Sequence, residues 1–562
     1  MPSPIEGNEG PRTGGDARKN PAAKRARGEK GGTLPDAGTG VAASAEPGKV
    51  ISGIGWNFVG MIAGSVAGFL SSILLARFLM PHDYGNLALT LSVLNVLVII
   101  SAQGFEFALN KYIPVLITEQ RTGAILHLVK RLTLYKVVLA LVLSIVIFAV
   151  ADLLAGSLFR KADLAPYLRI LSLMVVPYSL DPIYRGLLTG FYRQKFINLL
   201  DAGVKGLYLV LAATVLLLQY GVAGVLYVSL LAQVVLVLLA ARKGLAAIPP
   251  GKHTGASPDL GKVLRYSFYL YVFSIMNFVL GQQLDMIMIG ALIPDINQVA
   301  FYTIAYSFSY TSLSFLSLVL GGGITLTYFS ELYAKKDLQG LRRSYIVMFE
   351  YLFVYIIPVG VIGAVLAPSI LYIIFGEAYA GTVVVNLLTL YFPVMIFLKF
   401  GGVTSTFMGA MDQEKKLVTS RAIFGATNIV LNFLLIPPMG AFGALIGTGV
   451  ASILGLGYES FVVHRCLRPR YPVRFLGRIV CIALVSGAAA FGLRLVMERL
   501  AEGLGYGQMG RSLLVLGGAG IGWIAITFAL FVLLKPLSPE TVEVIGKVPI
   551  PFKDRLMWII RS

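Results

Sequence analysis

Fourteen apolar runs, each close to the length that crosses a bilayer, follow one another along this chain with short breaks between them. A membrane-crossing helix needs about 20 mostly apolar residues. The runs are Trp56–Ala76, Gly85–Phe107, Leu132–Leu154, Leu164–Leu188, Phe196–Leu218, Val222–Ala241, Tyr266–Ile289, Ala300–Phe329, Tyr345–Ile370, Val383–Met408, Val418–Ile436, Phe442–Val463, Ile479–Met497 and Leu513–Leu534. Lipid gives a peptide group no hydrogen-bonding partner, so each run must satisfy its own backbone as a helix. The expected fold class is all-α: a polytopic membrane protein of about fourteen transmembrane helices.

Composition agrees. Of 562 residues, 57% are hydrophobic and 13% charged, against about 25% charged in soluble domains. The net charge of +19 does not point to nucleic acid, because the basic residues sit in short loops rather than on one folded face. Loops after even-numbered spans carry Lys130 and Arg131, Arg193 and Lys195, Arg242 and Lys243, Lys335 and Lys336, Lys415 and Lys416, and Arg465 to Arg478. Loops after odd-numbered spans are nearly neutral, and those near Gln219, Asp295 and Pro437 have no Lys or Arg. Cytoplasmic loops carry the Lys/Arg excess, so both termini are expected in the cytoplasm, with the chain a multi-pass protein of the inner membrane. Residues 1–50 are rich in Gly, Ala, Pro and charge, with a basic patch at Lys24, Arg25, Arg27 and Lys30. They read as a disordered tail, either solvated or touching anionic lipid.

Shifting the chain by 219 residues reveals a repeat. Gly190 meets Gly409, Gly206 meets Gly425, Gly221 meets Gly440 and Gly224 meets Gly443, while Gln194 meets Gln413 and Ala232 meets Ala451. Chance gives roughly half a Gly–Gly coincidence in such a window; four occur. Six spans is an even number, so the two copies insert in the same sense. Such parallel repeats relate by an axis along the membrane normal and place a transported substrate between them. The expected organisation is a cytoplasmic tail over 1–50, a six-helix lobe over 51–245, a cytoplasmic linker over 246–262, a second six-helix lobe over 263–465, spans thirteen and fourteen over 466–536, and a cytoplasmic tail over 537–562.

The stretch Leu75-Ala76-Arg77-Phe78-Leu79-Met80-Pro81-His82-Asp83-Tyr84-Gly85 resembles the opening of bacterial polysaccharide (O-antigen-type) flippases, which end their first helix on Leu-Ala-Arg-x-Leu followed by Pro-x-x-Tyr-Gly. Gly190-Phe191-Tyr192-Arg193-Gln194-Lys195 is similar to that family's turn after helix four. The resemblance covers roughly Ile51 to Arg465, and beyond the opening motif it is an architecture shared across the multidrug/oligosaccharidyl-lipid/polysaccharide exporters. It implies a substrate, an oligosaccharide on polyprenyl pyrophosphate, moved to the outer leaflet for surface polysaccharide or lipopolysaccharide biosynthesis. It also implies alternating access between two lobes and, as partners, membrane lipid and polysaccharide polymerase machinery. Physics is compatible, because a glycan pyrophosphate cannot cross hydrocarbon unsolvated.

Ionisable residues inside spans are functional candidates. Asp181 and Arg185 are four apart, as are Asp201 and Lys205, and each pair can neutralise itself on its own helix or meet substrate. Lys399 in span ten, Asp285 in span seven, Glu350 in span nine and Glu106 have no opposite charge three or four residues away. Lys399, Arg185 and Lys205 are the expected substrate-binding residues, since cations hold phosphates. Asp285 and Glu350 are the candidates for ion coupling, by proton or sodium, and the choice between them stays open. Lys136 and Glu459 lie near span ends and are expected to snorkel to water. Tyr302, Tyr306 and Tyr310 belong to an aromatic-rich pair of spans; packing is the first reading of such rings and sugar stacking the second.

No GxxxxGK[ST] occurs, and Gly517 to Gly522 sits inside a span as close-packing glycine. No metal-ligand spacing occurs and no cofactor is expected. A membrane glycosyltransferase or polymerase would need a sizeable outer loop to hold its site, and the outer loops here are short. The reading is a flippase rather than an enzyme, with a cation-coupled multidrug exporter of the same superfamily as the nearer alternative.

Overall fold

The computed structural model describes residues 47–119, 121–249, 260–279, 281–319 and 322–547. These form nineteen α-helices: α1 (Pro47–Phe78), α2 (Pro81–Ala102), α3 (Phe105–Thr118), α4 (Thr122–Leu153), α5 (Ala165–Gly190), α6 (Gln194–Leu217), α7 (Gly221–Leu245), α8 (Leu260–Val279), α9 (Gln282–Leu292), α10 (Asn297–Val319), α11 (Gly322–Ala334), α12 (Leu338–Val365), α13 (Ala367–Phe375), α14 (Thr382–Ala410), α15 (Glu414–Met439), α16 (Ala441–Leu467), α17 (Val473–Gly503), α18 (Gln508–Leu534) and α19 (Pro539–Lys547). The described residues include no strand, and the chain is an all-α, multi-pass membrane protein. The basic N-terminal tail, residues 1–46, lies outside the described residues, as do 250–259 of the linker and 548–562 at the C-terminus.

Ten of the described helices are long and apolar enough to cross a membrane. The remaining four of the fourteen expected spans fall on α1, α5, the α8–α9 pair and the α10–α11 pair. α5 carries Arg169, Asp181 and Arg185, which lower its hydropathy, and α9 begins after a break at Gly281, whose backbone is extended.

The α2–α3 junction is interrupted too, at Gln103 and Gly104, both with positive φ (49° and 67°). A Cβ on Gly104 would run into the Ser267 carbonyl oxygen, so the backbone of α8 seats directly on the break. Ala102 ends α2 with an unsatisfied carbonyl, and the Lys136 Nζ donates to it at 3.4 Å. A cation at a helix C-terminus also meets the negative end of the helix dipole. Lys136 is therefore 0% exposed. The expectation that it snorkels to water is corrected, because the broken helix supplies an acceptor inside the bundle. Glu459, 2% exposed, corrects the same expectation: Thr404 Oγ1 donates to it at 2.8 Å and Ser420 Oγ at 2.9 Å, so water is not needed.

Within the first half, α3, α4 and α7 pack on α5, and α6 packs on α7. Within the second, α12 and α16 pack on α14, and α15 packs on α16. The helix starts recur in register: Pro81 and Asn297, Thr122 and Leu338, Gln194 and Glu414, Gly221 and Ala441, each pair 216 to 220 residues apart. The halves meet where α2 lies against α9 and α10. α17 packs on α12 and α18, outside this arrangement. Glycine permits close approach at α18, where Gly518 faces Met497 and Gly522 faces Leu493.

Candidate functional site

A cavity of about 770 Å³ lies between the halves. Its wall combines Ser65 and Ser72 of α1, Lys205 of α6, and Ser307, Tyr310, Thr311, Ser312 and Ser314 of α10. Most of the wall is apolar, with hydroxyls set into it, and no Asp or Glu lines it among the described residues. A second chamber of about 360 Å³ in the first half shares Lys205 and adds Tyr178, Arg185, Asp201, Tyr208 and Gln233.

The expected cations take different places. Lys399 of α14 is half-buried; its Nζ donates to the Ser314 hydroxyl and sits 3.4 Å from the Tyr310 ring centroid, so it stands directly behind the cavity wall. Lys205 is exposed to the cavity. The self-neutralising Asp201–Lys205 pair is not formed. Asp201 instead receives Arg185 through two bonds, Nη1 to Oδ2 at 2.8 Å and Nη2 to Oδ1 at 2.6 Å. Arg185 Nε is held by Asp181 at 2.7 and 2.8 Å, as its i,i+4 spacing predicts. The planar guanidinium grips Asp201 through two parallel N–H bonds while its Nε holds Asp181, a preorganised fork that an ammonium lacks, so it outcompetes Lys205 for Asp201. One result is a satisfied Asp181–Arg185–Asp201 bridge; the other is a lysine left facing the cavity.

Asp285 on α9 is 3% exposed. Its Oδ2 accepts from the Tyr302 hydroxyl and from Thr448 Oγ1 at 2.8 Å; its Oδ1 accepts from Asn432 Nδ2 at 2.6 Å. Asn428 extends the shell, donating to Thr448 Oγ1 at 3.0 Å. No Lys, Arg or His forms an ion pair with Asp285 among the described residues, and the nearby Asn432 Oδ1 has no hydrogen-bond partner. A buried carboxylate without a countercharge is costly, so such a group takes up a proton or a cation. Asn428, Asn432 and Thr448 escaped the sequence reading; the Asn-x-x-x-Asn spacing on one apolar run was the available signal.

With this geometry in place, kinship can be read. A profile of the family described as polysaccharide biosynthesis protein matches residues 74–384, more than half of the chain. The chain belongs to that family. It is 22% identical over 451 residues to an uncharacterized membrane protein of Methanocaldococcus jannaschii, covering 75% of this chain and 85% of that one. Its fold matches a lipid II flippase, MurJ, in an inward closed conformation, with a TM-score of 0.64 and 14% identity, over 84% of this chain and 98% of the flippase. It also matches an inward-facing multidrug resistance MATE family transporter of the MOP superfamily, with a TM-score of 0.55, 18% identity and coverage of 72% and 95%. A Vibrio cholerae MATE transporter gives 0.51 at 14% identity, covering 75% of this chain and 98% of its own.

At the end that carries the Lys/Arg-poor loops, hydrogen bonds tie the two halves together. Arg77, from the family-like opening motif, donates through Nε to the Ile374 carbonyl at 2.9 Å and through Nη2 to that of Ile373. Lys161 Nζ donates to the carbonyls of Gly290 at 2.6 Å and Ile293 at 2.9 Å. Tyr379 donates to the Leu79 carbonyl at 3.1 Å. Both cations thus cap the C-terminal ends of helices in the opposite half, α13 and α9. Burial holds the Lys161 ammonium below the usual lysine range, with Asp295 opposing that shift. Gly85 allows the closest approach here, since a Cβ would lie 2.5 Å from the Ile296 carbonyl oxygen.

Glu350, the other expected ion-coupling acid, sits elsewhere. It is 0% exposed, and its Oε2 accepts from Ser538 N at 3.0 Å and Ser538 Oγ at 2.8 Å. It ties the segment after α18 to α12. Glu106 has a buried Oε2 without a partner. The inter-half latch residues Lys161 and Tyr379 were not anticipated, because their acceptors are main-chain carbonyls that leave no trace in side-chain pattern.

Proposed function

We propose that this protein moves a lipid-linked anionic oligosaccharide, carried on polyprenyl pyrophosphate, from the cytoplasmic to the outer leaflet of a bacterial inner membrane. The observation that carries this reading is the charge of the cavity: two lysines, Lys205 in its wall and Lys399 behind it, with no acid lining it among the described residues. An ammonium held within a membrane protein must face protein, water or an anion, since about 2.5–3.5 kcal/mol opposes placing it in lipid. A pyrophosphate supplies that anion, and a charge-assisted bond to it exceeds a neutral one in strength. Hydroxyls along α10 and α1 can exchange bonds with sugar hydroxyls, while the apolar remainder of the wall suits the lipid end. Kinship with a polysaccharide biosynthesis family and a fold shared with a lipid II flippase support the same substrate class.

The two halves alternate. With the latch of Arg77, Lys161 and Tyr379 closed at the outer end, substrate enters from the cytoplasmic leaflet; export requires those bonds to break while the other end closes. Asp285 is the better-placed coupling site, its shell of hydroxyls and amides suited to a sodium ion or a proton, whereas Glu350 is engaged with Ser538. The coupled transport step moves a substrate and makes no covalent bond, so the protein acts as a transporter and not as a glycosyltransferase or polymerase. A multidrug exporter of cationic compounds would meet two lysines in its cavity and, among the described residues, no acid.

Flipping in reconstituted vesicles tests the reading, with arrival of a polyprenyl-pyrophosphate oligosaccharide reported by an impermeant lectin. Lys399→Ala should abolish most transport at unchanged protein abundance, and Lys399→Arg should retain part of it. Normal transport by the alanine variant would overturn the assignment.

A further inference from the structure

Lys399 and Asp285 lie at opposite ends of one column of tyrosine rings on α10. Tyr302 donates its hydroxyl to Asp285. Four residues on, the Tyr306 ring stacks over Tyr302, centroids 6.4 Å apart and planes 22° from parallel. Another four residues on, Tyr310 stacks over Tyr306 at 5.7 Å and 9°. Lys399 Nζ then rests on the Tyr310 ring. The i,i+4 spacing puts all three rings on one helix face. Tyr391 of α14 holds the column from the side, edge-on to Tyr302 at 5.5 Å and 75° and to Tyr306 at 5.6 Å and 84°. The same helix supplies Ser307, Thr311 and Ser314 to the cavity wall.

Resting on the reading of Asp285 as the ion site and Lys399 as an anion site, we propose that the Tyr302–Tyr306–Tyr310 column on α10 couples them. Tyr306, which lines neither site, is the positioning residue. A proton or sodium ion at Asp285 changes what the carboxylate accepts, and Tyr302 is one of its three hydrogen-bond donors. Tyr302 cannot re-aim its hydroxyl without moving a ring wedged between Tyr306 and Tyr391. Close-packed rings transmit such a shift because the interior has no slack to absorb it. At the far end, Tyr310 and Ser314 share the Lys399 ammonium, so the column decides whether that ammonium stays on the wall or turns to a bound anion. Energetic coupling between two sites is reciprocal: an anion that draws Lys399 off Tyr310 should alter cation affinity at Asp285 by the factor through which the cation alters anion affinity.

The test uses full-length protein in nanodiscs and, as probe, a saccharide-free polyprenyl pyrophosphate, whose affinity is measured at low and high sodium and at two pH values. The wild type should show a linkage ratio of roughly 5–150-fold for one of the two cations, and Asp285→Asn should bring it to one. Tyr306→Phe, which keeps the stack, should retain the ratio. Tyr306→Leu should lose most of it while binding the probe normally at low cation. If Tyr306→Leu couples as the wild type does, the column is not the coupler, though the two sites stand. A Tyr306→Phe variant as uncoupled as the leucine variant would also overturn it, by making the hydroxyl rather than the stack responsible. A wild type with a ratio of one for both cations removes the ion-site reading, and the column with it. Should the leucine variant fail to fold, Tyr306→Met gives the same decision, since it fills the space without a ring face and must then lose the ratio.

Discussion

At the scale of single residues, the cavity's charge depends on a competition for Asp201. Arg185 wins it with two bonds while keeping Asp181, and Lys205 is thereby left to face the cavity. Removing Arg185 should let Asp201 turn to Lys205, its i,i+4 neighbour, and neutralise it. Arg185→Gln is therefore expected to cut transport of an anionic lipid glycan by about tenfold or more, a loss of the order of one charge-assisted hydrogen bond at 1.5–3 kcal/mol. Adding Asp201→Asn should restore part of that activity by releasing Lys205. If the double variant is no better than the single one in vesicle flipping, Arg185 acts by direct contact or by folding alone. Asp285→Asn should keep the Tyr302 and Thr448 bonds and leave the protein folded, yet make flipping insensitive to sodium and pH; retained cation dependence would move the coupling elsewhere. Asp181 and Arg185 were readable as a pair from their spacing, but the rank of Asp201's two partners was not. Lys205 is the neighbour along the helix and Arg185 lies 16 residues away on another one, so only the interhelical geometry of α5 and α6 decides between them. Lys136 shows the same gap, because distance from a span's end does not reveal that a broken α2 offers it a buried carbonyl.

At the scale of elements, the lengths of the apolar runs and the alternation of basic and neutral loops placed the helices closely: the expected Gly85–Phe107 corresponds to α2 and the start of α3, and Val222–Ala241 lies within α7. The breaks were not readable. Gly104 is one glycine among 61, and nothing local distinguishes it from glycines that sit inside intact helices. Its role comes from α8 lying across it, a contact 163 residues away along the chain. Gly104→Val should accordingly lower yield and thermal stability of purified protein sharply, since both its φ and its packing exclude a branched side chain. The latch is also an element-scale device, made of two cations and two helix C-termini. Lys161→Met removes the bonds to Gly290 and Ile293 and should shift the population toward the state open at that end by roughly tenfold or more. A cysteine at Thr311, in a variant with Cys466 and Cys481 replaced, should then label faster with an impermeant maleimide from the outer side. Labelling at the wild-type rate would show that Arg77 and Tyr379 hold the closure without it.

At the scale of the whole molecule, two sets of helices with matching starts enclose a cavity rich in hydroxyls and poor in acids, a buried carboxylate lies beside it, and one helix, α10, borders both. The shared fold accommodates both a lipid II flippase and multidrug transporters, so architecture does not choose the cargo; the side chains facing the cavity do. Lys205 and Lys399 are the feature on which the choice turns, and the most direct measurement is charge selectivity in reconstituted vesicles. The wild-type protein should carry a polyprenyl-pyrophosphate oligosaccharide across the bilayer and leave a lipophilic cation behind, and the Lys205→Gln, Lys399→Gln double variant should lose the first activity while remaining folded. Transport of the lipophilic cation by the wild type, undiminished or improved in the double variant and without movement of the glycan lipid, would contradict the account.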